Sequence, residues 1–230
     1  MKFIIAGIGS GNPDLITLSA LNEAESSDFI LVPRSHDNNP GIAEKVISQH
    51  LPEKKIIHIL FPMIKNSQRR SEIISEQLIS IKNKIENARQ IFFPVIGDSM
   101  LYSTGAYLIE EAKKIFPEVK VNFIPGISAH SVACACAKKF MAMSEEIFSV
   151  IPGTADTEKI LSVLKNSDAA AIYKPTALKN KNIIDFVKGS FKKIIRVDFA
   201  GIPEKEKIFY GSEALENINE YLSIILIWKN

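Results

Sequence analysis

Three glycines at alternate positions follow the first apolar segment, in the stretch FIIAGIGSGNPDLITLSAL. A glycine-rich turn between a strand and a helix often binds dinucleotide phosphates, with the spacing G-x-G-x-x-G and the third glycine inside the helix. Here Gly7, Gly9 and Gly11 give G-x-G-x-G. Asn12 and Pro13 follow at once, and these residue types suit a helix cap and a first helical position. The spacing therefore predicts a helix that starts after the glycines, and it argues against a dinucleotide site.

The second feature of a dinucleotide site is also missing. Such a site places an acidic residue about 20 residues further on, at the end of the next strand. That strand, FILVPRS, ends in Pro33, Arg34 and Ser35, whereas Asp28 lies before it. A nucleotide-dependent oxidoreductase is thus left as a minor alternative. A tight turn that needs positive φ is the simplest structural account of the glycines.

The composition is that of an ordinary globular protein. Apolar residues make up 46%, charged residues 23%, and the net charge is +2, which argues against a disordered chain and against a nucleic-acid binder. No apolar run approaches the roughly 20 residues of a membrane span. Cys134 and Cys136 lie two residues apart on a predicted helix and point in different directions, so we expect small core residues instead of a disulfide or a metal site. A cytoplasmic protein without metal ligands is expected.

Strand-like and helix-like segments alternate along the chain. Five apolar runs of the first half are predicted strands: KFIIAGIG, FILVP, KIIHIL, QIFFPVIG and KVNFIPG. Helices are predicted near residues 13–26, 41–50, 67–88, 104–116, 128–138, 157–165 and 177–189. Apolar strands separated by helices predict a mostly parallel sheet flanked by helices, and the closely spaced strands near the end predict a mixed sheet. The predicted fold class is therefore α/β, with an N-terminal α/β domain at 1–126 and a C-terminal one at 127–230.

Residues at the strand ends are the candidates for chemistry, because ligands of open α/β sheets bind beyond the carboxyl ends of the strands. Turn residues are common there for structural reasons, so each segment is a weak signal by itself and the ordered set is a stronger one. Besides the opening glycines, the segments are Pro33-Arg34-Ser35, Gly97-Asp98-Ser99, Pro125-Gly126-Ile127-Ser128, Pro152-Gly153-Thr154, Tyr173-Lys174-Pro175 and Ala200-Gly201.

In this order the segments resemble the tetrapyrrole (corrin and porphyrin) methyltransferases. GIGSGNPDLITLSAL is similar to the family's opening motif, IGDSMLYSTGAYL to its Gly-Asp-Pro motif, FIPGISAHSVACA to its PGIS segment and YLSIILI to its closing strand. FILVPRS, LYST and FSVIPGT are most similar to the enzymes that methylate C-20 of precorrin-2 or its cobalt form. The chain departs from the family pattern at Ser10, Asn12 and Ser99, where proline or aspartate is usual.

The resemblance implies S-adenosylmethionine as cofactor, a tetrapyrrole as substrate and a homodimer, with the cofactor in the cleft between the two domains. It implies catalysis by positioning, and Asp98 and Tyr102 are the candidates for any direct catalytic contact. The implied cofactor-binding residues are Gly97, Asp98, Leu101, Ser103, Thr104, Ser128, Ala129, Tyr173, Ala200 and Gly201. The implied substrate-binding residues are Gly9, Ser10, Gly11, Arg34, Ser35 and His36, and Arg34 has the planar fork that suits a carboxylate.

Structural roles stay open for the same residues. Asp98 could close an Asx turn, Ser128 could cap a helix, Tyr173 could be half-buried packing and Arg34 could be solvated. Ser99 lacks the fixed φ of proline, so we expect it to loosen the cofactor loop. Three other functions also stay open: methylation of another ring carbon, nucleotide-dependent oxidation, and tetrapyrrole binding without catalysis.

Overall fold

The chain divides into an N-terminal unit, Met1–Ser128, and a C-terminal unit, Ala129–Asn230. The computed structural model describes residues 1–35, 40–62, 64, 66–178 and 180–230. Within these ranges no helix combines the length and the apolar character needed to cross a bilayer.

The N-terminal unit is built on a five-stranded sheet in which all neighbouring strands are parallel. Its strands are β1 (Lys2–Gly7), β2 (Phe29–Arg34), β3 (Ile56–Leu60), β4 (Gln90–Val95) and β5 (Lys120–Ile124). They lie in the order β3-β2-β4-β1-β5. Ile4 and Ile5 on opposite faces of β1 are both fully buried, which explains why the strand sequences are continuously apolar. The predicted parallel sheet and its five strands are confirmed.

Helices cover both faces of this sheet. They are α1 (Leu18–Ser26), α2 (Ile42–His50), α3 (Ser67–Ile85) and α4 (Gly105–Ile115). Phe3 and Ile5 share one apolar cluster with buried residues of α3 and α4, whereas Ile4 and Ala6 share another with α1 and α2. The helix pairs therefore lie on opposite faces, and the carboxyl ends of all five strands meet at one edge of the sheet.

The first helix differs from its prediction over residues 13–26. Residues Pro13–Leu15 form a 3-10 turn. Asn12 caps this turn, because its Oδ1 accepts a hydrogen bond from the backbone N–H of Asp14 at 3.0 Å. The α-helix starts only after Thr17, whose hydroxyl accepts the N–H of Ala20 at 3.2 Å. Leu18, an apolar residue of this segment, is 78% exposed. Thr17, the second cap residue, thus separates the 3-10 turn from the α-helix, so the segment is not one continuous helix.

The C-terminal unit contains a mixed sheet, as predicted. Its strands are β6 (Phe148–Pro152), β7 (Ala169–Tyr173), β8 (Lys193–Asp198), β9 (Lys207–Tyr210) and β10 (Ser223–Trp228), in the order β6-β7-β10-β8-β9. The pair β6 and β7 is parallel, and the other three pairs are antiparallel. The antiparallel part is formed by the closely spaced strands near the end of the chain.

Three helices accompany this sheet: α5 (Ala129–Cys136), α6 (Thr157–Lys165) and α7 (Lys181–Ser190). The predicted start of the last helix near residue 177 is wrong. Pro175–Ala177 forms a separate 3-10 turn, and Asn180 caps α7 by accepting the N–H of Asn182 at 2.9 Å. Buried residues of α6 and α7, such as Leu164 and Val187, pack in one apolar cluster with β6, β7 and β10.

The two cysteines of α5 have different surroundings. Both are free thiols, and Cys134 is buried, in agreement with the predicted core position. Cys136 is only half-buried, and its Sγ donates a hydrogen bond to Oε2 of Glu206 at 3.0 Å. Burial raises the thiol pKa of each cysteine to about 11. Neither thiol is therefore ionised near neutral pH, which fits structural positions.

Candidate active site

Backbone segments at the carboxyl ends of β1, β4 and β5 touch one another through glycines. A Cβ atom placed on Gly126 would lie 2.3 Å from the carbonyl oxygen of Gly97 and 2.6 Å from Cα of Gly7. A Cβ on Gly7 would lie 2.5 Å from the same oxygen. Real Cβ contacts are never this short, so the approach of the three strand ends requires glycine at 7 and 126. We call Gly7, Gly97 and Gly126 the glycine contact.

The opening glycines extend this contact. Gly9 pairs with Gly97 in an antiparallel bridge, and the N–H of Gly97 donates to the carbonyl of Gly9 at 2.7 Å. Gly9, Gly11 and Gly97 all have positive φ, at 76°, 120° and 78°. The opening turn and the Gly-Asp segment are thus one backbone structure, which agrees with a turn that needs positive φ.

Ser10 lies between Gly9 and Gly11 in the opening turn, and its buried hydroxyl makes no hydrogen bond to the described residues. The residue is 7% exposed, and its Oγ has no hydrogen-bond partner among the described residues. A buried hydroxyl without a partner costs about 1–3 kcal/mol. A group that stays unpaired at such a cost is a candidate for contact with a ligand.

The loop after β4 carries several predicted cofactor residues. Asp98 Oδ1 accepts the N–H of Met100 at 3.0 Å, so the Asx turn considered for this residue is present. The N–H of Leu101 reaches the carbonyl of Asp98 at 3.4 Å. Ser103 Oγ accepts the N–H of Gly105 at 3.0 Å and thereby caps α4, whereas Thr104 makes no side-chain cap. The Asp98 carboxylate is half-buried, and the hydrogen bond from the Met100 N–H fixes its orientation.

Ser99 fixes this loop instead of loosening it. Its hydroxyl donates to the carbonyl of Ile124 at 2.7 Å, and the residue is 4% exposed. The bond ties the loop after β4 to the end of β5, next to Gly126. The expectation that Ser99 would loosen the loop is therefore wrong, because a side-chain hydrogen bond replaces the restraint that proline would give.

Arg34, at the end of β2, is an ion-paired side chain and not a solvated one. Its Nη2 donates to both carboxylate oxygens of Glu44, at 2.7 and 2.9 Å, and its Nε donates at 3.1 Å. His58 Nε2 lies 3.2 Å from the same carboxylate. Burial opposes ionisation of Glu44, but hydrogen bonds from Arg34 and His58 outweigh it and lower the carboxyl pKa. Ser35 is exposed, and His36 lies outside the described residues.

In the C-terminal unit, Tyr173 ends β7 and contacts the start of α5. The Tyr173 hydroxyl accepts the backbone N–H of His130 at 3.2 Å and lies 2.7 Å from Nδ1 of the same histidine. The side chain is half-buried, so the packing role is present together with a specific polar contact. Ala129 is the first residue of α5, and Ser128 precedes it at the end of the N-terminal unit.

The turn after β8 contains the last two predicted cofactor residues. Ala200 is 7% exposed, and Gly201 has a φ of 79°. The N–H of Gly201 donates to Oε2 of Glu206 at 2.8 Å. Glu206 was not predicted, because nothing near it in the sequence marks its partner.

Backbone strain accompanies the predicted positions. Tyr102, Lys174 and Phe199 have left-handed conformations, with φ of 51°, 53° and 53°. Each lies beside predicted cofactor residues: Leu101 and Ser103, Tyr173, and Ala200. The left-handed conformation costs a non-glycine residue about 1–2 kcal/mol, and such strain often marks ligand sites. Burial raises the pKa of Tyr102, so its phenol stays protonated at neutral pH.

Comparison with known proteins identifies the family. A model of the tetrapyrrole (corrin/porphyrin) methylases matches residues 2–213. The chain belongs to the tetrapyrrole methylases. The predicted family is thereby confirmed, and the match includes every predicted site residue, from Gly9 to Gly201.

Two relatives of this methylase carry related names. A protein of Methanocaldococcus jannaschii named "Probable cobalt-precorrin-2 C(20)-methyltransferase" is 28% identical over 224 residues, which cover 96% of this chain and 93% of that protein. The "Cobalt-precorrin-2 C(20)-methyltransferase" of Salmonella typhimurium is 25% identical over 174 residues, covering 75% and 72%.

A solved structure supports the fold of the methylase. The uroporphyrin-III C-methyltransferase of Thermus thermophilus, complexed with S-adenosylhomocysteine, has a TM-score of 0.67 and 14% identity, and the likeness covers 99% of this chain and 97% of that one. S-adenosylhomocysteine is what S-adenosylmethionine becomes when it gives up its methyl group. At this identity the likeness shows that the chain shares the fold of that protein.

Proposed function

We propose that this methylase transfers a methyl group from S-adenosylmethionine to C-20 of precorrin-2 or cobalt-precorrin-2 in cobalamin biosynthesis. The observation that carries the proposal is the similarity to a protein named for this reaction over 96% of the chain. The segments FILVPRS, LYST and FSVIPGT support the same ring position. They lie in β2, in the loop after β4 and in β6.

The loop after β4 has features that fit the cofactor. Its half-buried carboxylate at Asp98 suits an ammonium group, and its backbone is held in place by the glycine contact and by Ser99. We assign Gly97, Asp98, Leu101, Ser103 and Thr104 of the N-terminal domain to the cofactor. We also assign to it Ser128, Ala129, Tyr173, Ala200 and Gly201. S-adenosylmethionine, when bound, supplies a methyl group that its sulfonium already activates.

Because the leaving group is already activated, the chain needs no nucleophile of its own. Its residues have to fix the distance and the direction of approach between methyl group and ring carbon, and such alignment can lower a barrier by about 7–11 kcal/mol. The glycine contact is suited to this task, since segments in backbone contact cannot shift independently. Asp98 and Tyr102 are the two side chains of this loop that we propose touch the reacting groups.

The tetrapyrrole is assigned to the N-terminal domain. Gly9, Ser10 and Gly11 form its backbone platform, and the unpaired Ser10 hydroxyl supports a polar contact there. Arg34, Ser35 and His36 are assigned to the substrate's carboxylates. Arg34 reaches them as part of a pair with Glu44, which orients the guanidinium and offsets part of its charge.

We further propose a cytoplasmic homodimer. The free thiols of Cys134 and Cys136 fit a reducing compartment. Phe140 and Met143, three residues apart in the C-terminal unit, expose 77% and 63% of their surfaces, which suits a subunit contact. Light scattering of the purified protein measures the oligomeric state directly, and a monomer at micromolar concentration would remove this part of the proposal.

The central test is product analysis. The protein is incubated with S-adenosylmethionine and, separately, with precorrin-2 and cobalt-precorrin-2, and NMR locates the new methyl group. Methylation at C-20 supports the proposal, and methylation at another carbon of the ring overturns the ring position only. Calorimetric titration with S-adenosylhomocysteine, with NAD as control, separates the methyltransferase from an oxidoreductase. Binding of tetrapyrrole without S-adenosylhomocysteine would indicate a non-catalytic protein.

Three variants test the assigned residues. Asp98→Ala removes both the charge and the Asx turn, whereas Asp98→Asn keeps the acceptor for the Met100 N–H and loses only the charge. If the carboxylate holds the cofactor's ammonium, both variants weaken S-adenosylhomocysteine binding. Arg34→Lys keeps a cation opposite Glu44, and it should weaken tetrapyrrole binding more than cofactor binding. Equal losses for both ligands would indicate disturbed structure instead.

A further inference from the structure

The turn between β8 and β9 is short and tightly folded. Near its start, two residues with positive φ, Phe199 and Gly201, flank Ala200. The N–H of Phe199 donates to the carbonyl of Leu222 at 2.7 Å, which anchors the start of the turn beside β10. The turn closes with a hydrogen bond of 2.8 Å from the N–H of Glu206 to the carbonyl of Ile202. Its backbone therefore has few ways to move except as a unit.

One carboxylate oxygen connects this turn to helix α5. Oε2 of Glu206 accepts the N–H of Gly201 at 2.8 Å and the thiol of Cys136 at 3.0 Å. Cys136 is the last residue of α5, and Ala129 is the first. Two segments that carry assigned cofactor residues, the turn and α5, are thus joined through the side chain of Glu206, the last residue of the turn. Hydrogen bonds to an ionised acceptor are about twice as strong as neutral ones.

The Cys136 thiol keeps its proton and so remains a hydrogen-bond donor to Glu206. Burial first, and then the neighbouring Glu206 carboxylate, raise the pKa of Cys136 to about 11. The proton therefore stays on sulfur throughout the neutral range, and Glu206 keeps both of its donors. The N–H of Gly201 is directed at Glu206 within the C-terminal unit, so this donor is already used when a ligand arrives.

We propose that Glu206 is a positioning residue of the cofactor site, which holds the Ala200–Gly201 turn and α5 in the arrangement that binds S-adenosylmethionine. This inference rests on the proposed function, under which Ala129, Ala200 and Gly201 contact the cofactor. Glu206 acts through Gly201 and Cys136 and does not touch the cofactor. Because the Gly201 N–H already donates to Glu206, it does not donate to the cofactor. The turn therefore contacts the cofactor through the Ala200 methyl group and other backbone atoms.

The test compares three variants in calorimetric titration with S-adenosylhomocysteine. Glu206→Leu removes the acceptor and should weaken binding by about tenfold or more, since small displacements of positioning groups are costly. Glu206→Gln keeps an oxygen acceptor for the Gly201 N–H and should remain within about threefold of the original protein. Glu204→Leu is the matched control, because Glu204 is an exposed carboxylate of the same turn, and its affinity should not change.

A second measurement separates positioning from general stability. Amide hydrogen exchange at Gly201 should accelerate in Glu206→Leu and return to its original rate in Glu206→Gln, while exchange in the strands of the N-terminal unit stays unchanged. If Glu206→Leu does not fold, Glu206→Asp replaces it, since the shorter carboxylate keeps the charge but loses its reach to Cys136. Glu206→Asp is then expected to weaken binding as Glu206→Leu would.

The outcomes are distinct. Glu206→Leu with unchanged affinity, or equal losses in Glu206→Leu and Glu204→Leu, would overturn the positioning role while the function stands. Failure of the original protein to bind S-adenosylhomocysteine would overturn the proposed function, and the positioning role with it. Loss in Glu206→Leu with rescue in Glu206→Gln supports the inference.

Discussion

Strand ends are held in different ways in the two units of this methylase. In the N-terminal unit, β1, β4 and β5 end in the glycine contact, where backbone lies directly on backbone. In the C-terminal unit, the turn after β8 is held by a side chain, through the bonds that Glu206 makes to Gly201 and Cys136. The first arrangement has no space for a side chain, and the second depends on one.

The difference has consequences for how each region tolerates change. A backbone contact is fixed by sterics, so any substitution that adds a Cβ must displace a strand end. A contact made by a side chain can be weakened or exchanged in steps, because each hydrogen bond contributes on the order of 1 kcal/mol. We therefore expect steep losses from single changes in the glycine contact and graded losses in the turn after β8.

The largest effect is predicted for Gly126→Ala. The added methyl group would lie 2.3 Å from the carbonyl oxygen of Gly97, and neither backbone can yield without moving the end of β4 or of β5. We expect a loss of folding free energy on the order of 3 kcal/mol, as for severe overpacking. Urea unfolding followed by circular dichroism measures it.

Gly189→Ala is the control for that experiment. Gly189 lies in α7, and a Cβ there would meet no atom within 4 Å. Alanine favours the helix over glycine by roughly 0.5–1 kcal/mol, so this variant should be slightly more stable than the original. Equal destabilisation of Gly126→Ala and Gly189→Ala would contradict the steric account of the glycine contact.

The sequence allowed most of the fold to be predicted, because apolar periodicity distinguishes buried strands from helices. The errors lie at helix starts, where one cap residue decides the boundary. Thr17 and Asn180 are such caps, and each delays a helix that the apolar pattern would begin earlier. Local hydrogen bonds of this kind leave little trace in a periodic pattern.

The candidate site was less accessible to sequence reasoning. Residues at strand ends could be named, since parallel strands bring their carboxyl ends to one edge. Their partners could not, because those partners come from distant parts of the chain. Glu206 is 70 residues from Cys136, and Ser99 is 25 residues from the carbonyl of Ile124 that it binds. A turn glycine such as Gly126 also gives no sign that another strand end will rest on it.

The second prediction concerns β2, which differs from the three strand ends of the glycine contact. A side chain, Glu44, holds Arg34 at the end of this strand, so β2 should behave like the turn after β8. Glu44→Gln should lower stability at pH 7 by about 1.5–3 kcal/mol, the value of hydrogen bonds to charged groups. Urea unfolding of both proteins at pH 7 measures the difference.

The pH dependence of that difference follows from the lowered pKa of Glu44. Its carboxyl pKa lies below the ordinary value of 4.5 in the folded chain, so the unfolded chain takes up the proton first as pH falls. The stabilisation is complete above the ordinary value and disappears as pH falls through the folded value. The original protein and Glu44→Gln should therefore converge in acid. A constant difference down to acid pH would show that the charge of Glu44 contributes nothing.

The third prediction concerns Ser10, whose buried polar side chain lies beside the glycine contact. Ser10→Ala removes a buried hydroxyl that has no partner among the described residues. The ligand-free protein should gain about 1 kcal/mol of stability, while tetrapyrrole binding weakens. Thermal unfolding and fluorescence titration with the tetrapyrrole give the two values. A decrease in both stability and affinity would indicate an ordinary packing role for this serine.

The smallest effects are predicted where backbone strain can be relieved. Lys138, just beyond α5, and Lys174, beside Tyr173, both have left-handed conformations, and glycine adopts these without strain. Lys138→Gly should gain a few tenths of a kcal/mol up to about 1 kcal/mol, with unchanged affinity for S-adenosylhomocysteine. Lys174→Gly should relieve the same strain but bind S-adenosylhomocysteine more weakly, because a glycine next to Tyr173, which is assigned to the cofactor, lets the end of β7 move. If both variants keep full affinity for S-adenosylhomocysteine, the left-handed conformation of Lys174 only shapes the turn after β7 and is not needed to position Tyr173.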